Sequence, residues 1–424
     1  MAIARGQLEA IVDALTVVLP ARAPADAQLR TFFREHKSLG QRDRALVADT
    51  VYAALRRRRL LEHVTPAASP REIALATLVK LQGVGLSQLD AALRGGEKAW
   101  LAELKSRDLE ALPFELRADL PDWVIGRLRP AMGDEALLAL ARGLQEPAPL
   151  DLRVNALKAP RQAVLDRLEY DHLEARPTRY SPLGVRLRGK PALNQHPMFL
   201  DGAVEVQDEG SQLLGMLVEP RRGEMVVDFC AGAGGKTLQL GAAMASTGRL
   251  YAFDVSDKRL DQLAPRLKRS GLSNVFPQRI ANENDAKVKR LRGKIDRVLV
   301  DAPCTGLGTL RRNPDLKFRQ TAEGLAELTA KQRSILAAAA TLLKPGGRLV
   351  YGTCSLLPEE NEAIVEAFLA AHPDFRLVPA SEVLARQGVK VPGAGQYLRL
   401  YPHVHDTDGF FAAVMERGAA KAKP

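Results

Sequence analysis

The sequence predicts an α/β protein with three parts: an all-helical domain at the amino end, a small α/β connector, and a doubly wound parallel sheet. Apolar residues recur at helical spacing through the first 146 residues. Short strand-like segments and one helical segment follow, and after them apolar strands alternate with amphipathic helices. We therefore expect domains at 1–146, 147–205 and 206–417, followed by a disordered tail at 418–424.

The composition is that of a globular protein with an excess of positive charge. Hydrophobic residues make up 46% of the 424 residues and charged residues 26%, which excludes a mainly disordered chain. The 61 lysines and arginines outnumber the 50 acidic residues, and a net charge of +11 favours a polyanionic partner such as nucleic acid. An ordinary basic enzyme without such a partner is the open alternative.

No segment resembles a membrane anchor or a secretion signal. The longest candidate run, 335–343, falls short of the roughly 18 apolar residues that a spanning helix needs. The amino terminus lacks an uninterrupted apolar signal core. Three cysteines are an odd number in a long chain, which disfavours a disulfide framework. We therefore expect a cytoplasmic protein with reduced thiols and no membrane partner.

Four consecutive arginines stand out in the predicted helical domain. They occupy 56–59 and follow a stretch in which Val47, Val51 and Leu55 have the spacing of a buried helix face. Such a run fits two interpretations, a solvated helix face or a contact with nucleic-acid phosphates. The sequence leaves both open.

Two prolines, Pro147 and Pro149, end the helical pattern. In the connector, strands are predicted at 152–155 and 184–187 and a helix at 161–168. In the larger sheet, parallel strands are predicted at 225–229, 249–253, 275–280, 295–300 and 348–351. Segments 397–400 and 410–415 are predicted to form an antiparallel hairpin that closes the sheet edge.

A loop of small residues follows the first strand of the larger sheet, reading Asp-Phe-Cys-Ala-Gly-Ala-Gly-Gly-Lys-Thr at 228–237. Glycines there allow a ligand to approach the backbone closely at the carboxyl edge of the sheet. A phosphate-binding P-loop would need glycine where Cys230 stands. Gly232, Gly234 and Gly235 do not have the spacing of a dinucleotide fingerprint either. Both phosphate-binding motifs, and with them a dehydrogenase, are disfavoured.

Asp254 ends the second predicted strand, 22 residues after Gly232. A carboxylate at this place in a doubly wound sheet suits the two hydroxyls of a ribose, which indicates a nucleoside ligand. The alternative is an acid at the start of the following helix, where the helix dipole favours negative charge.

Two cysteines follow neighbouring predicted strands. Cys304 lies in Asp-Ala-Pro-Cys-Thr-Gly-Leu-Gly at 301–308, and Cys354 lies in Tyr-Gly-Thr-Cys-Ser at 351–355. A single cysteine is usually a small buried hydrophobic residue. Two cysteines at adjacent strand ends beside a nucleoside site favour the other interpretation, in which a thiolate does covalent chemistry.

These motifs resemble those of a known enzyme family. Together with Arg-Arg-Asn-Pro-Asp-Leu-Lys at 311–317 and Leu-Pro-Glu-Glu-Asn at 357–361, they are similar to the Sun/Fmu/RsmB group of RNA (cytosine-5) methyltransferases over about 150–417. Segments 38–44 and 52–56 resemble the NusB-like helical RNA-binding domain of the bacterial members. Segments 153–155 and 207–211 resemble the family's linking region. The resemblance implies a methyltransferase sheet that uses S-adenosylmethionine as cofactor and RNA as partner.

The resemblance also implies roles for single residues. Asp254 would hold the cofactor's ribose, and Asp301 would lie between cofactor and target base. Cys354 becomes the nucleophile that adds to C6 of cytosine, because C5 attacks a methyl group only after such an addition enriches it in electrons. Cys304 is implied to assist the later release. The methionine part of the cofactor would be wrapped by Cys230, Ala231, Gly232, Ala233, Gly234, Gly235 and Lys236.

Adenine recognition is where the chain departs from the family pattern. Members of the family place an acid after the third strand, whereas this sequence reads Ile-Ala-Asn-Glu-Asn-Asp at 280–285. Asn282 is the closest by spacing and is assigned to the cofactor site. Glu283 and Asp285 are acidic but displaced.

The same residues bear on alternative functions of the protein. DNA cytosine-5 methyltransferases use the cysteine of the Pro-Cys loop and carry a Glu-Asn-Val partner that this chain lacks. The presence of both Cys304 and Cys354 disfavours a non-catalytic ribosome-assembly factor. The NusB-like module favours small-subunit (16S) rRNA as substrate, with tRNA as the alternative. The target cytosine must be flipped or single-stranded to reach a thiolate in a crevice. No metal is expected, and a monomer is the default state.

Overall fold

The computed structural model describes residues 2–419, which fall into two compact units. The helical unit comprises the residues up to Pro147 together with Thr309–Ala322, and the sheet unit comprises Ala148–Gly308 and the residues from Glu323 onward. Most of the predicted tail at 418–424 lies outside the described residues. Among residues 2–419, no helix combines the length and the apolar character needed to cross a membrane.

The helical unit is built from amphipathic helices. They are α1 (Arg5–Val18), α2 (Ala25–Glu35), α3 (Gln41–Arg56), α4 (Arg58–Val64), α5 (Pro70–Ala76), α6 (Glu97–Ser106), α7 (Phe114–Ala118) and α8 (Asp122–Gln145), with a π-helical turn at Thr77–Leu81, a 3₁₀ turn at Leu86–Gln88 and a short helix at Leu316–Arg319. Leu8, Ile11 and Leu15 of α1 are fully buried with Val47 and Val51 of α3. The helical amino-terminal region predicted from the sequence is confirmed.

The arginine run is partly buried and engaged inside the helical unit. Arg56 donates to the Arg311 carbonyl, Arg57 faces Asp119, Arg58 pairs with Glu62 and Arg59 pairs with Asp122. Burial lowers the pKa of both Arg56 and Arg57. The solvated-face interpretation is therefore wrong, because the run spans the break between α3 and α4 and its side chains reach neighbouring segments. The contact with phosphates stays a prediction.

The connector residues form a four-stranded antiparallel sheet in the order β2-β3-β1-β4. Its elements are β1 (Leu150–Val154), α9 (Arg161–Tyr170), β2 (Ala175–Pro177), β3 (Gly184–Leu187), a 3₁₀ turn at Leu193–Gln195, α10 (Pro197–Leu200) and β4 (Val204–Val206). Leu152 and Val154 of β1 share a buried core with Val164 and Leu168 of α9. Both predicted strands and the predicted helix are present. Strands β2 and β4 are not predicted, because three residues carry too little pattern.

The larger sheet has eight strands. They are β5 (Met225–Asp228), β6 (Arg249–Asp254), β7 (Val275–Arg279), β8 (Ile295–Asp301), β9 (Leu343–Thr353), β10 (Phe375–Val378), β11 (Tyr397–Leu400) and β12 (Phe410–Arg417). Strands β7-β6-β5-β8-β9 are parallel and adjacent in that order. The direction of winding reverses between β5 and β8, and in sheets of this kind a ligand crevice opens there, at the carboxyl ends of the strands.

Helices cover both faces of this sheet. They are α11 (Glu209–Met216), α12 (Gly235–Ala243), α13 (Asp257–Ser270), α14 (Ala286–Lys289), α15 (Ala322–Ala340), α16 (Glu362–Ala371), α17 (Ala380–Ala385) and α18 (Pro402–His405), with a 3₁₀ turn at Leu307–Thr309. Val226 of β5 lies in the core that contains α11, α12 and α13, and Val227 lies in the core that contains α15 and α16. Both are fully buried, as expected for a strand covered on both faces. The predicted doubly wound fold class is confirmed.

The predicted hairpin of β11 and β12 is present, but it does not close the sheet edge alone. Strand β12 pairs with β9 on one side, and its other side is shared by β11 at Phe410 and β10 at Val414. The completed edge therefore needs β10, which is not predicted from the sequence. Its four residues are too few to show a strand alternation.

Candidate active site

Three parallel strands end in an aspartate at the carboxyl edge of the larger sheet. Asp228 ends β5, Asp254 ends β6 and Asp301 ends β8. Because the carboxyl ends of parallel strands meet at one edge, these acids lie around the crevice beside the point where the winding reverses. Three acidic side chains disfavour a phosphate ligand and suit a ligand with positive charge and hydroxyl groups.

The glycine loop between β5 and α12 contacts the end of β6. Gly232 and Gly234 have φ angles of 55° and 85°, which glycine adopts without strain. A Cβ atom on Gly234 would lie 2.1 Å from Leu263 Cδ1, whereas one on Gly232 would meet no atom within 4 Å. The loop is therefore packed tightly at Gly234 and leaves open space at Gly232.

Asp254 is held by the main chain around it. Its Oδ2 accepts from the Gly232 amide at 2.9 Å and its Oδ1 from the Ser256 amide at 2.8 Å. Helix α13 begins at Asp257, and the Ser256 hydroxyl accepts from the Arg259 amide as its cap. The alternative interpretation of Asp254 as a helix-start acid is thus disfavoured. Its oriented carboxylate keeps acceptor capacity for further donors, such as ribose hydroxyls.

Asp228 contains a buried oxygen without a partner. Its Oδ2 accepts from the Thr237 hydroxyl at 2.7 Å, while its Oδ1 has no hydrogen-bond partner. Burial raises the pKa of Asp228 to about 7. The hydrogen bond from Thr237 lowers this pKa and the negative charge of Asp301 raises it, but burial has the largest effect. A buried acceptor without a donor costs free energy, so this oxygen is a place for a donor from a ligand.

Lys236 and Asp301 form an ion pair in which the lysine is buried. Lys236 Nζ donates to Asp301 Oδ2 at 2.8 Å, and 10% of the lysine side chain is exposed. Burial alone would lower the pKa of Lys236, but the charge and hydrogen bond of Asp301 outweigh it and the pKa is raised. Negative charge on Cys354 acts in the same direction. The pair therefore joins the start of α12 to the strand end that leads to Cys304.

The two cysteines predicted to act together are in contact. Cys304 Sγ and Cys354 Sγ lie 3.4 Å apart, and both residues are partly exposed. They follow β8 and β9, whose parallel register places Asp301 opposite Gly352. The Gly308 amide donates to the Cys354 carbonyl at 2.8 Å. A Cβ atom on Gly308 would lie 2.8 Å from that same oxygen, so the two loops pack backbone against backbone.

The cysteines differ in their surroundings. The hydrogen bond to Cys354, and then burial, raise the pKa of Cys304 well above its usual range. Cys304 therefore keeps its proton at neutral pH and can donate it in a hydrogen bond to Cys354 Sγ when that sulfur is a thiolate. Burial also raises the pKa of Cys230, which packs against an apolar core of the sheet. Thiolate chemistry at Cys230 is thus disfavoured.

Two polar residues beside the cysteine loops have no role assigned from the sequence. Glu360 accepts from the Thr305 amide at 2.8 Å, next to Cys304, and Asn361 accepts from the Thr353 hydroxyl at 2.5 Å, next to Cys354. Both side chains are buried. The available signal was the motif at 357–361, in which two acids and an amide closely follow Cys354.

The acids after β7 are used locally. Asp285 accepts from two backbone amides at 2.8 Å and caps α14, and these hydrogen bonds lower its pKa. Glu283 accepts from the Ser334 hydroxyl. Asn282 is exposed. Its assignment to the cofactor's adenine stays a prediction.

The residues at the edge fit the cofactor that the resemblance implies. S-adenosylmethionine carries a sulfonium, an ammonium and two ribose hydroxyls, and all of these suit nearby carboxylates. The unpartnered Asp228 Oδ1 offers an acceptor, and the open space at Gly232 offers room next to Asp254. Asp228, Asp254 and Asp301 are therefore a suitable set for it.

Comparison with known proteins points to one family. The family model described as 16S rRNA methyltransferase RsmB/F matches residues 215–416, and the model of the RsmF/B-like ferredoxin-like domain matches residues 120–194. A protein of Synechocystis sp. named "probable ribosomal RNA small subunit methyltransferase B" is 36% identical over 343 residues, which cover 80% of this chain and 76% of that protein. The ribosomal RNA small subunit methyltransferase B of Yersinia pseudotuberculosis is 35% identical over 325 residues, covering 76% of this chain and 72% of that protein.

A solved structure agrees with these relatives. A methyltransferase homologue from Pyrococcus horikoshii is 30% identical and superposes with a TM-score of 0.62. The superposition covers 73% of this chain and 100% of the other.

Proposed function

The chain belongs to the RsmB/RsmF family of methyltransferases, and from this premise we propose that it methylates carbon 5 of a cytosine in small-subunit ribosomal RNA. The observation that carries the proposal is the contact of Cys304 Sγ with Cys354 Sγ, 3.4 Å apart at the carboxyl edge of the sheet. Methylation of an oxygen or nitrogen needs no thiol, because those atoms carry a lone pair. Carbon 5 of cytosine lacks one and needs covalent activation.

Small-subunit ribosomal RNA is the substrate that the relatives favour, since both are named for it. The excess of 61 basic over 50 acidic residues suits a polyanion. We assign RNA binding to the NusB-like helical residues 1–146 and to the connector at 147–205, and methyl transfer to residues 206–417. The target cytosine leaves its stack, or is already unstacked, when it enters the crevice.

Cys354 is the proposed nucleophile. The positive charge of Lys236 and the hydrogen bond from Cys304 both stabilise negative charge on its sulfur. Addition of the Cys354 thiolate to C6 of the base forms a C–S bond and moves electron density onto C5. S-adenosylmethionine, when bound, supplies an electrophilic methyl group on a positively charged sulfur. C5 takes that methyl group while Cys354 holds C6.

Cys304 is proposed to assist the release. After the transfer, a base takes the proton from C5, the C5–C6 double bond re-forms, and the electron pair of the C6–S bond returns to the Cys354 sulfur. Cys304 retains its proton at neutral pH and lies within reach of that sulfur. Its S–H group can therefore donate a hydrogen bond to the departing Cys354 thiolate and stabilise that leaving group as the C6–S bond breaks.

The acidic edge is proposed to hold the cofactor. The loop from Cys230 to Lys236 surrounds its methionine part, Asp254 accepts from its ribose hydroxyls, and Asn282 lies by its adenine. Asp301 is proposed to stand between the cofactor and the target base. Its pairing with Lys236 fixes the orientation of the carboxylate at that point.

The test uses methyl-labelled S-adenosylmethionine and small-subunit rRNA from a strain that lacks the activity, with total tRNA as a second substrate. Wild type, Cys354→Ala and Cys304→Ala are compared. We expect 5-methylcytosine in rRNA with wild type, none with Cys354→Ala, and a denaturation-resistant protein–RNA adduct with Cys304→Ala.

Three results would contradict parts of this proposal. Full activity in Cys354→Ala would identify Cys304 as the nucleophile instead. Label in tRNA but not in rRNA would identify tRNA as the substrate instead. No label in any RNA, with cofactor binding intact, would favour an assembly factor that does not catalyse.

A further inference from the structure

Glu360 is a fully buried carboxylate between the two cysteine loops. Its Oε1 accepts from the Thr305 amide at 2.8 Å and from Gln332 Nε2 at 3.0 Å. Its Oε2 accepts from the Thr305 hydroxyl at 2.5 Å and from the Ser355 hydroxyl. Thr305 directly follows Cys304, and Ser355 directly follows Cys354. One carboxylate is thus bonded to the residue next to each thiol.

These four donors fill the acceptor capacity of the carboxylate. A carboxylate has about four lone-pair sites. The surrounding groups are paired as well, since the Leu357 amide donates to Ser355 Oγ at 3.0 Å and the Tyr351 hydroxyl donates to the Glu360 carbonyl at 2.6 Å. With no exposed surface, the Glu360 side chain touches no substrate and acts only through its neighbours.

The adjacent Asn361 holds the other side of the same loop. It accepts from the Thr353 hydroxyl at 2.5 Å and donates to the Ser355 carbonyl at 3.2 Å. Cys354 is therefore bracketed by two anchored residues. Unlike Asn361, Glu360 extends the network to the Cys304 loop, because its carboxylate also binds Thr305. The Thr305 and Ser355 hydroxyls that it holds lie 3.2 Å apart.

Packing alone does not account for a buried carboxylate at this place. Taking a charge out of water costs several kcal/mol, and an apolar residue of similar volume often stabilises a core equally well. What an apolar residue cannot do is bind donors from two loops at once and fix their relative position. The network therefore points to a geometric role.

We propose that Glu360 is a positioning residue that sets the separation of the Cys304 and Cys354 thiols by holding Thr305 and Ser355. The consequence of this thiol positioning for catalysis rests on the proposed function. The thiol geometry, however, is measurable without any methyl transfer, so the two proposals fail separately.

The direct measurement is the rate at which a mild oxidant joins the two thiols in the full-length protein. Diamide takes two electrons and two protons from a thiol pair, which becomes a disulfide, and is itself reduced to the hydrazine. Samples are quenched with acid, and the peptide linked through Cys304 and Cys354 is quantified by mass spectrometry. The variants are Glu360→Ala and Glu360→Gln.

Glu224→Gln is the matched control. Glu224 is also a carboxylate paired within the sheet unit, to Arg297, but it precedes β5 at the opposite edge of the sheet. We expect Glu360→Ala to slow disulfide formation on the order of tenfold, because misplacement of reacting atoms is costly. We expect Glu360→Gln to slow disulfide formation less than Glu360→Ala does. The glutamine amide oxygen can still accept hydrogen bonds, and the Thr305 and Ser355 hydroxyls can rotate to accept from its NH₂ group. The control should match wild type.

If circular dichroism shows that Glu360→Ala does not fold, the rate of disulfide formation in Glu360→Gln alone tests the proposal. A wild-type rate of disulfide formation in the folded variants overturns the proposal. Methyl transfer supplies the second readout, in which we expect kcat to fall in Glu360→Gln while KM for RNA and cofactor is unchanged. A raised KM at unchanged kcat also overturns it. Slower disulfide formation in a protein whose wild type methylates no RNA leaves the positioning role standing and removes the proposed function.

Discussion

The two halves of the crevice are built in opposite ways. In the thiol half, the loops of Cys304 and Cys354 are tied together by Glu360, whose acceptor capacity is filled by protein donors. In the half around the glycine loop, Asp228 Oδ1 is buried without a partner and there is open space at Gly232. The protein thus completes the hydrogen bonding of the thiol half with its own donors. In the other half it leaves an acceptor and space unused.

This contrast has a physical reason. The proposed covalent chemistry uses two sulfurs that are held at a set distance before the substrate arrives, because reorganisation at the moment of reaction slows the step. Binding the proposed cofactor needs acceptors that are still free, because an acceptor already satisfied within the protein gains little from a ligand. Lys236 and Asp301 join the two halves.

The largest expected effect comes from breaking that junction. Asp301→Asn should lower the free energy of unfolding by about 3 kcal/mol, because it leaves the buried Lys236 charge without its partner. Adding Lys236→Met should restore part of the loss, since the uncompensated charge is removed. Urea unfolding of the two single variants and the double variant measures the coupling. Additive effects would show that the pair does not join the halves energetically.

A smaller difference in stability should distinguish two glycines of the glycine loop between β5 and α12. Gly232→Ala should cost about 1 kcal/mol, from left-handed backbone strain alone. Gly234→Ala has the same strain and a clash with Leu263, so it should cost about 1 to 2 kcal/mol more than Gly232→Ala. Thermal unfolding of both variants gives the comparison, with Gly232→Ala as the control for backbone strain. Equal losses would contradict the tight packing assigned to Gly234.

A further effect concerns pH. Asp228 has a pKa of about 7 in the folded protein and about 3.9 in an unfolded chain. As the pH rises from about 4 to 7, the unfolded state releases this proton while the folded state keeps it, so stability falls across that window and levels off above it. Asp228→Asn should lack this contribution.

Thermal unfolding midpoints of wild type and Asp228→Asn at pH 5 and pH 7.5 test the sign. We expect the wild-type midpoint to fall by a few degrees relative to the variant. A cationic cofactor favours ionised Asp228, so the stabilisation by S-adenosylmethionine should grow from pH 6 to pH 8 in wild type and stay level in the variant. Identical pH profiles in wild type and Asp228→Asn would contradict the role assigned to Asp228 in stability and in cofactor binding.

Much of the candidate site follows from patterns that are local in the sequence. Apolar strands followed by Asp254 and Asp301 place these two residues at one edge, because parallel strands share a carboxyl edge. Asp228 lies within the strand predicted at 225–229, and the sequence assigned it no role. Cys304 and Cys354 follow neighbouring strands for the same reason, and their contact at 3.4 Å agrees with the prediction that they act together. Their individual roles stay predictions.

Other features depend on partners that are distant along the chain. The arginine run at 56–59 has the composition of an exposed helix face, yet Asp119, Asp122 and Arg311 occupy its side chains. Strand β10 has four residues and exists because β12 offers it an edge. Neither feature has a local signal that could reveal it.

The sequence by itself determined the fold class, the parallel strands, and the places of Asp254, Asp301, Cys304 and Cys354 at the ends of those strands, because strand alternation and loop composition are properties of short segments. Only the tertiary structure decided that Glu360 joins both cysteine loops, that Lys236 pairs with Asp301, and that Asp228 keeps one oxygen free. Hydrogen bonds and burial depend on which segments meet in space. The positions of two residues along the chain do not specify whether they meet when they are 50 or more residues apart, as Cys304 and Cys354 are.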